Sequence, residues 1–283
     1  MGFIEAVILG LVQGLTEFLP ISSSAHLRIA GLFLPNAQDP GATFTAITQI
    51  GTELAVILYF RKDIARIIGR WFRHFGSSKG AHSEGIPKDD PDVRLGWLII
   101  IGTIPIVIVG FLLQEYIRTN FRDLWITAIV LIVFGIVLGV ADLLGRRVKT
   151  ITEMTYRDGI LIGLAQILAL VPGVSRSGST MSAGLALGYT RPAAARYGFL
   201  LAIPAVFGSG LYELVHSFGA PKGVYGYPET LVATVVAFVV GYAVIAFLMR
   251  YISRHSFLPF VIYRVLLGSA LIVLLSLGIV QPL

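Results

Sequence analysis

The chain has 283 residues, of which 55% are hydrophobic and 13% are charged, and its mean hydropathy is +0.81. A soluble domain carries about 25% charged residues and needs polar cover, so the composition excludes a soluble globule, a disordered chain and a coiled coil. The absence of cysteine excludes disulfides and thiolate metal sites. The net charge of +6 is concentrated in short connections, which indicates membrane topology and not nucleic-acid binding.

Taken in chain order, the apolar stretches predict an integral membrane protein. Two of them, residues 1–32 and 158–189, are interrupted by Pro, Gly and clustered hydroxyl residues. Non-helical backbone at membrane depth is tolerated only where protein or water surrounds it, so each is predicted to be a re-entrant helical hairpin. The others are long enough to cross the membrane at roughly 20 residues per crossing. These six predicted transmembrane helices cover residues 43–60, 95–114, 124–144, 193–217, 228–250 and 259–280.

The fold class predicted is therefore an all-α polytopic membrane protein. The N-terminal segment lacks a positive leading region and contains Glu5 and Glu17, so we interpret it as part of the mature fold and not as a signal peptide. The basic residues are densest in 61–94, 145–158 and 250–257, and the positive-inside rule places these connections in the cytoplasm.

The two interrupted stretches resemble each other. Gly10-Leu11-Val12-Gln13 matches Gly163-Leu164-Ala165-Gln166, and a one-residue slip places Ser23 opposite Ser175. By the charge distribution the two units begin on opposite sides of the membrane. We therefore predict one membrane domain, residues 1–283, with an inverted-topology repeat and a ligand site between the two broken elements. The repeats span residues 1–144, which include the loop 61–94, and residues 158–283.

The first interrupted stretch reads QGLTEFLPISSSAH, from Gln13 to His26. Gln13 and Glu17 are four residues apart and share one face of a helix, which Pro20 ends. A carboxylate, three hydroxyls and an imidazole inside an apolar stretch are costly and indicate a functional site. The alternative is a serine-rich helix cap with a His26 that reaches toward the membrane surface.

The second interrupted stretch reads PGVSRSGST, from Pro172 to Thr180. Its glycines allow close backbone approach, and free N–H groups at a helix start favour an anion. Arg176 adds a planar donor that suits phosphate oxygens. The alternative is a close-packed interface of small residues. Together the two stretches provide a nucleophile or base on one side and an anion cradle on the other, which suits phosphoryl transfer.

These two stretches resemble the signature motifs of the undecaprenyl-pyrophosphate phosphatases of the bacitracin-resistance type, and the resemblance spans essentially the whole chain. It implies hydrolysis of undecaprenyl pyrophosphate to undecaprenyl phosphate and inorganic phosphate. That reaction recycles the lipid carrier for peptidoglycan synthesis and confers resistance to bacitracin. The resemblance also implies a bacterial plasma membrane protein whose active site opens to the outer face, and help from a divalent cation, Mg²⁺ or Ca²⁺.

The resemblance further implies which residues act. We hypothesise that Ser23 attacks the terminal phosphorus after Glu17 or His26 removes its proton, and that the other of that pair handles the second proton transfer. Direct attack by water, with Ser23 only binding, is the alternative. The pyrophosphate is expected to be held by Ser22, Gly173, Ser175, Arg176, Ser177 and Thr180, with Gln13 in support.

The expected cation site is incomplete in this sequence. Position 13 is Gln, so Glu17 is the only carboxylate of the first motif, and a cation there would be held by Glu17, substrate oxygens and water. Glu53 lies within the crossing 43–60, where we interpret it as an internal polar contact, with catalysis as the alternative. Arg264 lies early in the last crossing and is predicted to extend to the cytoplasmic surface.

Two rival functions are weighed against the phosphatase. A polyprenyl-phosphate transporter or flippase would use the same anion site, because inverted repeats with broken helices are typical of transporters as well. A carrier has no need of the Ser-Glu-His cluster, so the first motif favours the enzyme. A scaffold without activity explains neither motif. The expected partners are the polyprenyl pyrophosphate lipid and the bilayer, and a homo-oligomer is left open.

Overall fold

The architecture is given by a computed structural model that describes residues 2–35, 41–76, 87, 89–113, 116–117, 123–218 and 224–282. Over these ranges the chain is helical, and its extended backbone amounts to one isolated bridge between Lys149 and Tyr189. The helices are α1 (Gly2–Thr16), α2 (Ser23–Gly31), α3 (Ala42–Tyr59), α4 (Arg61–Gly76), α5 (Pro91–Leu112), α6 (Leu124–Leu144), α7 (Tyr156–Ile167), α8 (Arg176–Ala186), α9 (Arg191–Ser217), α10 (Tyr227–Ile252) and α11 (Leu258–Ser276).

Six of these helices are long and apolar enough to cross a membrane: α3, α5, α6, α9, α10 and α11. Their mean hydropathies run from 1.2 to 2.8 over an 18-residue window, and each spans at least 18 residues. These helices coincide with the six predicted crossings, which are thereby confirmed as apolar helices of spanning length. Their outward faces carry many exposed large hydrophobic side chains, as expected of surfaces that face lipid.

Each interrupted stretch folds as two helices joined by a turn. In the first, α1 ends at Thr16 and α2 starts at Ser23, with Pro20 in the turn between them. In the second, α7 continues into a short 3-10 turn, Leu168–Leu170, and α8 starts at Arg176. In both cases the two helices pack against each other. The turn residues are the prolines and serines that interrupt the apolar pattern, because proline cannot continue a helix and serine caps the next one.

Small residues allow these broken pairs to pack closely against long helices. A Cβ placed on Gly10 of α1 would lie 2.5 Å from the carbonyl oxygen of Ala233 in α10. A Cβ on Gly163 of α7 would lie 2.5 Å from the carbonyl oxygen of Gly102 in α5. Thus α1 packs on α10 as α7 packs on α5, backbone against backbone. Other large contacts join α3 to α10 and to α9, and α6 to α11.

The basic connection 61–94 contains a helix that was not predicted, α4. Its Arg66 and Arg70 form ion pairs with Asp92 and Asp90 at the start of α5. Asp90 also caps α5, since its carboxylate accepts hydrogen bonds from the backbone N–H of Asp92 and Val93. Burial alone would raise the pKa of Asp90, but these backbone bonds and Arg70 together hold it below its usual range.

Most of the rest of the predicted loop, residues 77–86 and 88, lies outside the described residues.

A buried carboxylate, that of Asp142, joins three helix ends. Asp142 near the end of α6 accepts two hydrogen bonds from Arg191 at the start of α9, at 2.6 and 3.2 Å. It accepts a third from the backbone N–H of Phe257, just before α11, at 2.9 Å. These three hydrogen bonds join the end of α6 to the starts of α9 and α11.

Candidate active site

Glu17 is the centre of the polar cluster between the two broken segments. It follows directly after α1 and is 8% exposed. Its Oε2 accepts hydrogen bonds from Gln13 Nε2 at 2.7 Å and Ser23 Oγ at 2.6 Å, while Oε1 accepts from Arg176 Nη2 at 2.5 Å. One carboxylate thus receives donors from α1, α2 and α8, and it brings the two sequence motifs into direct contact.

Two serine caps position the donors around Glu17. Ser22 and Ser175 are the N-caps of α2 and α8, and both have positive φ, 75° and 73°. Such backbone strain in a residue other than glycine costs on the order of 1 kcal/mol and is concentrated at functional sites. Each cap oxygen accepts from a backbone N–H three residues ahead, and each hydroxyl pairs with the serine two residues ahead.

The caps correct the alignment of the two stretches. Ser22, not Ser23, is the structural counterpart of Ser175, so the one-residue slip is wrong at this point. With the caps superposed, Ser23 and Arg176 are each the first residue of their helix. Both of them bond to Glu17. The nucleophile candidate and the anion-binding candidate therefore occupy equivalent places at the two helix starts.

Arg264 was predicted to reach the cytoplasmic surface, and that prediction is wrong. The residue is 0% exposed and lies between the two turns. Its guanidinium donates to the carbonyl oxygens of Pro20 in the first turn and of Gly173 and Val174 in the second, at 2.7 to 3.0 Å. A fourth bond goes to Leu131 in α6 at 3.1 Å. The only signal in the sequence was a charged residue inside an apolar stretch, which does not reveal its partners.

His26 lies on α2, apart from the Glu17 hydrogen bonds. Its Nδ1 is 2.7 Å from the carbonyl oxygen of Ser22, and its Nε2 is 2.7 Å from the hydroxyl of Tyr263, whose ring stacks on it. A carbonyl oxygen only accepts, so Nδ1 carries the proton, and in the neutral imidazole Nε2 accepts from Tyr263. The acceptor that contacts the Ser23 hydroxyl is Glu17.

The other predicted phosphate-binding residues divide into two groups. Ser177 lies at the cluster, where its Oγ donates toward the carbonyl oxygen of Leu19 at 3.2 Å. Thr180 is one turn further along α8, bonds to the carbonyl oxygen of Arg176 and packs tightly against Gly198 of α9. Gly173 has a φ of 96° and approaches α6 closely, and its carbonyl oxygen bonds to Arg264. The contacts of Thr180 and Gly173 are those of packing residues.

Two buried oxygens near Glu17 lack a hydrogen-bond donor among the described residues: Oε1 of Gln13 and Oε2 of Glu53. Glu53, in α3, is 2% exposed and lies within electrostatic reach of both Glu17 and Arg176. The electrostatic interaction of Glu53 with Arg176 is an internal polar one, as expected, but no described residue donates a hydrogen bond to its Oε2 atom. The sequence placed Glu53 in a crossing but could not show that it faces the Glu17 cluster.

The oxygen atoms around Glu17 fit a hard divalent cation whose remaining ligands are oxygens of substrate or water. Over the described residues, no three His, Cys, Asp or Glu side chains come together as a metal cage. The available ligands are oxygens of carboxylates and an amide, which Mg²⁺ and Ca²⁺ prefer. Because both oxygens of Glu17 already accept hydrogen bonds, a cation would need further oxygens, from substrate or water.

Comparison with known proteins agrees with this geometry. The family described as bacitracin resistance protein BacA matches residues 6–270. A protein of Micrococcus luteus named undecaprenyl-diphosphatase is 64% identical over an alignment of 283 positions, which covers 99% of this chain and 100% of the relative. Proteins of the same name from Clavibacter michiganensis and Thermobifida fusca are 64% and 53% identical, over 98% and 100% of this chain and 98% and 93% of theirs. The resemblance of the two motifs is thereby confirmed, and the chain belongs to the bacitracin resistance protein BacA family.

Proposed function

We propose that this chain is an undecaprenyl-diphosphatase, an integral membrane hydrolase that converts undecaprenyl diphosphate to undecaprenyl phosphate and inorganic phosphate. The observation that carries the proposal is the Glu17 carboxylate, which joins the Ser23 hydroxyl to the Arg176 guanidinium. The names of the full-length relatives support the substrate. The product is the lipid carrier that peptidoglycan synthesis consumes, and bacitracin resistance follows from a faster return of that carrier.

In the mechanism we favour, Ser23 is the nucleophile and Glu17 is its base. Ser23 Oγ forms a bond to the terminal phosphorus while the bond from that phosphorus to the bridging oxygen breaks. The electron pair leaves with the lipid monophosphate, and the Ser23 proton passes to Glu17 Oε2, the oxygen it already contacts. Water then cleaves the phosphoserine, releases inorganic phosphate and restores the hydroxyl. Attack by water on the diphosphate itself is the alternative route.

Other residues position the groups that react. Arg176 has further N–H donors beyond its bond to Glu17, and these would hold phosphate oxygens as charge builds up on them. Ser22, Ser175 and Ser177 surround the same helix starts. His26 lies three residues after Ser23 on α2 and is assigned the second proton transfer. The contact between Ser23 and Glu17 favours Glu17 over His26 as the first base.

A divalent cation, Mg²⁺ or Ca²⁺, would be held by Glu17 together with substrate oxygens and water. When bound, it supplies positive charge that offsets the negative charge of the diphosphate. Glu17 accepts two hydrogen bonds at Oε2 and one at Oε1, so Oε1 keeps a lone pair for the cation. The residues that keep the nucleophile and Arg176 in place, Ser22, Ser175 and Arg264, are independent of the cation.

We also propose that the two broken pairs are re-entrant hairpins of an inverted-topology repeat within one membrane domain, residues 1–283. The matched serine caps support this proposal, as do the equivalent glycine contacts of α1 with α10 and of α7 with α5. The charge distribution favours a cytoplasmic location for 61–94, 145–158 and 250–257 in a bacterial plasma membrane. The active site would then open to the outer face.

The test is release of inorganic phosphate from undecaprenyl diphosphate by purified protein in detergent with Mg²⁺ or Ca²⁺. We expect Ser23→Ala and Arg176→Ala each to lower the rate at least about a hundredfold, roughly 2.7 kcal/mol of activation free energy. Ser253→Ala and Arg254→Ala, at the exposed end of α10, are matched controls that should leave it unchanged. Trapping of phosphoserine at position 23 would distinguish Ser23 from water as the nucleophile.

The rival transporter function is not proposed, since a carrier has no use for a nucleophile bonded to a base. The transporter function would replace the phosphatase if folded wild-type protein released no phosphate but bound the lipid in a manner that depends on Arg176.

A further inference from the structure

We propose that Glu53 is a second carboxylate ligand of the divalent cation, together with Glu17, and that the Oε1 atom of Gln13 is a neutral ligand beside them. This inference rests on the proposed function for its substrate, but not for the cation site itself. It places in α3 the carboxylate that the first motif lacks at position 13. No spacing in the sequence connects Glu53 with the motif.

The packing of α1 and α3 brings Glu53 to the Glu17 cluster. Both helices pack on α10, and they meet at Gly241. A Cβ on this glycine would lie 3.1 Å from the ring of Phe18 and 3.4 Å from the methyl group of Thr52. Phe18 follows Glu17 in the chain and Thr52 precedes Glu53. The charge of Glu53 accordingly interacts with both Glu17 and Arg176.

The Oε2 atom of Glu53 is buried without a donor, so the carboxyl group needs either a proton or a ligand to compensate it. Transfer of an unpaired carboxylate out of water costs several kcal/mol, so such groups are neutralised by a proton or bound to a cation. Within the described ranges, Oε2 of Glu53 has no hydrogen-bond partner, and neither has Oε1 of Gln13. The amide of Gln13 is fixed by its Nε2 bond to Glu17, so its free oxygen stays close to that carboxylate.

The charges of the cluster also favour a cation. Arg176 is paired with Glu17, and the four hydrogen bonds of Arg264 go to main-chain carbonyl oxygens. Neither guanidinium donates to Glu53. A diphosphate that enters the site brings further negative charge. Mg²⁺ typically binds one or two carboxylates together with phosphate oxygens, and Ca²⁺ accepts amide oxygens as well. Glu17, Glu53 and Gln13 supply this combination.

The experiment measures binding of Mn²⁺, an oxygen-seeking stand-in for Mg²⁺, to the full chain in detergent by electron paramagnetic resonance. We expect Glu53→Gln to weaken Mn²⁺ binding at least tenfold, about 1.4 kcal/mol. The double variant Gln13→Glu with Glu53→Gln should recover most of the affinity, because it restores the second carboxylate from α1. Glu5→Gln removes another buried carboxylate of α1, one that bonds to Tyr225, and should leave Mn²⁺ binding unchanged.

Equal Mn²⁺ affinity of Glu53→Gln and wild type overturns the proposal. A folded double variant that binds no more tightly than Glu53→Gln overturns it as well, because the loss then comes from disturbed packing. If Glu53→Gln does not fold, Glu53→Asp decides, because it keeps the charge but draws the carboxylate back by one methylene: weaker Mn²⁺ binding supports the shared site and unchanged binding overturns it. Phosphate release is measured separately. Mn²⁺ binding that depends on Glu53 in a protein that releases no phosphate contradicts the proposed function and leaves the cation site standing.

Discussion

The turn between α1 and α2 and the turn between α7 and α8 share a backbone design but differ in their chemistry. Each is capped by a serine with φ near 75°, Ser22 or Ser175, and each gives carbonyl oxygens to Arg264. In the first turn the functional residues are a carboxylate and a hydroxyl, Glu17 and Ser23. In the second the functional residue is a guanidinium, Arg176. The carboxylate and the guanidinium therefore come from different turns and form an ion pair between them.

The glutamines of α1 and α7 differ in their hydrogen-bond partners. Gln13 and Gln166 are both 0% exposed. The amide of Gln13 bonds to Glu17, whereas both amide atoms of Gln166 lack a partner among the described residues. Where the first stretch has Glu17, four residues after its glutamine, the second has Leu170. The two glutamines are thus equally buried, but only the one in α1 has a hydrogen-bond partner among the described residues.

The largest expected effect comes from removal of the carboxylate that distinguishes the first turn. Glu17→Gln removes the charge that faces Arg176 and the acceptor of the Ser23 proton. We expect phosphate release to fall about a thousandfold, roughly 4 kcal/mol of activation free energy. Glu213→Gln, which alters a carboxylate that accepts from Thr43, is the control. Near-normal turnover by Glu17→Gln would show that the base lies elsewhere.

Loss of Arg264 should destabilise both turns, because each gives it at least one carbonyl oxygen. Arg264→Met removes four hydrogen bonds and leaves carbonyl oxygens of both turns unpaired. We expect the free energy of unfolding to fall by about 3 kcal/mol, because buried acceptors lose charged donors. Unfolding in mixed detergent and dodecyl sulfate micelles measures it, with the exposed Arg254→Met for comparison. A loss no larger than that of the comparison variant would mean that the turns hold their shape without Arg264.

The glycine contacts test whether the two halves pack equivalently. Gly10→Ala and Gly163→Ala each place a methyl group 2.5 Å from a carbonyl oxygen of a neighbouring helix. We expect both to lower the free energy of unfolding by about 1–3 kcal/mol, as overpacked positions do. Gly208→Ala in α9 meets nothing within 4 Å and should be neutral or slightly stabilising. A clear difference between Gly10→Ala and Gly163→Ala would argue against equivalent packing.

The smallest expected effects come from substitutions of the two buried glutamines, Gln13 and Gln166. Gln13→Leu removes a hydrogen bond to a charged group, so phosphate release should fall about tenfold, close to 1.4 kcal/mol. Gln166→Leu replaces an unpartnered buried amide and should leave the rate unchanged while the free energy of unfolding rises by about 1 kcal/mol. Equal rate losses in the two variants would indicate that Gln166 contributes to the site as well.

Structural features that depend on neighbouring residues in the chain were predictable from the sequence. Hydropathy placed α6 at its observed bounds, residues 124–144, because an apolar run of that length in a membrane has no alternative to a helix. Proline and serine placed the two interruptions for the same local reason. The helix α4 was not predicted, because its charged residues were interpreted as part of a cytoplasmic connection.

The sequence by itself determined the class of protein, the six apolar helices, the two broken stretches and the family, since all of these depend on composition and on residues close together in the chain. Only the tertiary structure decided the partners of the buried charged residues. Arg264 lies between the two turns and Glu53 lies within electrostatic reach of Glu17, although both are far from the motifs in sequence. A buried charge takes its role from the groups that compensate it, and those are brought to it by helix packing, which one-dimensional spacing does not encode.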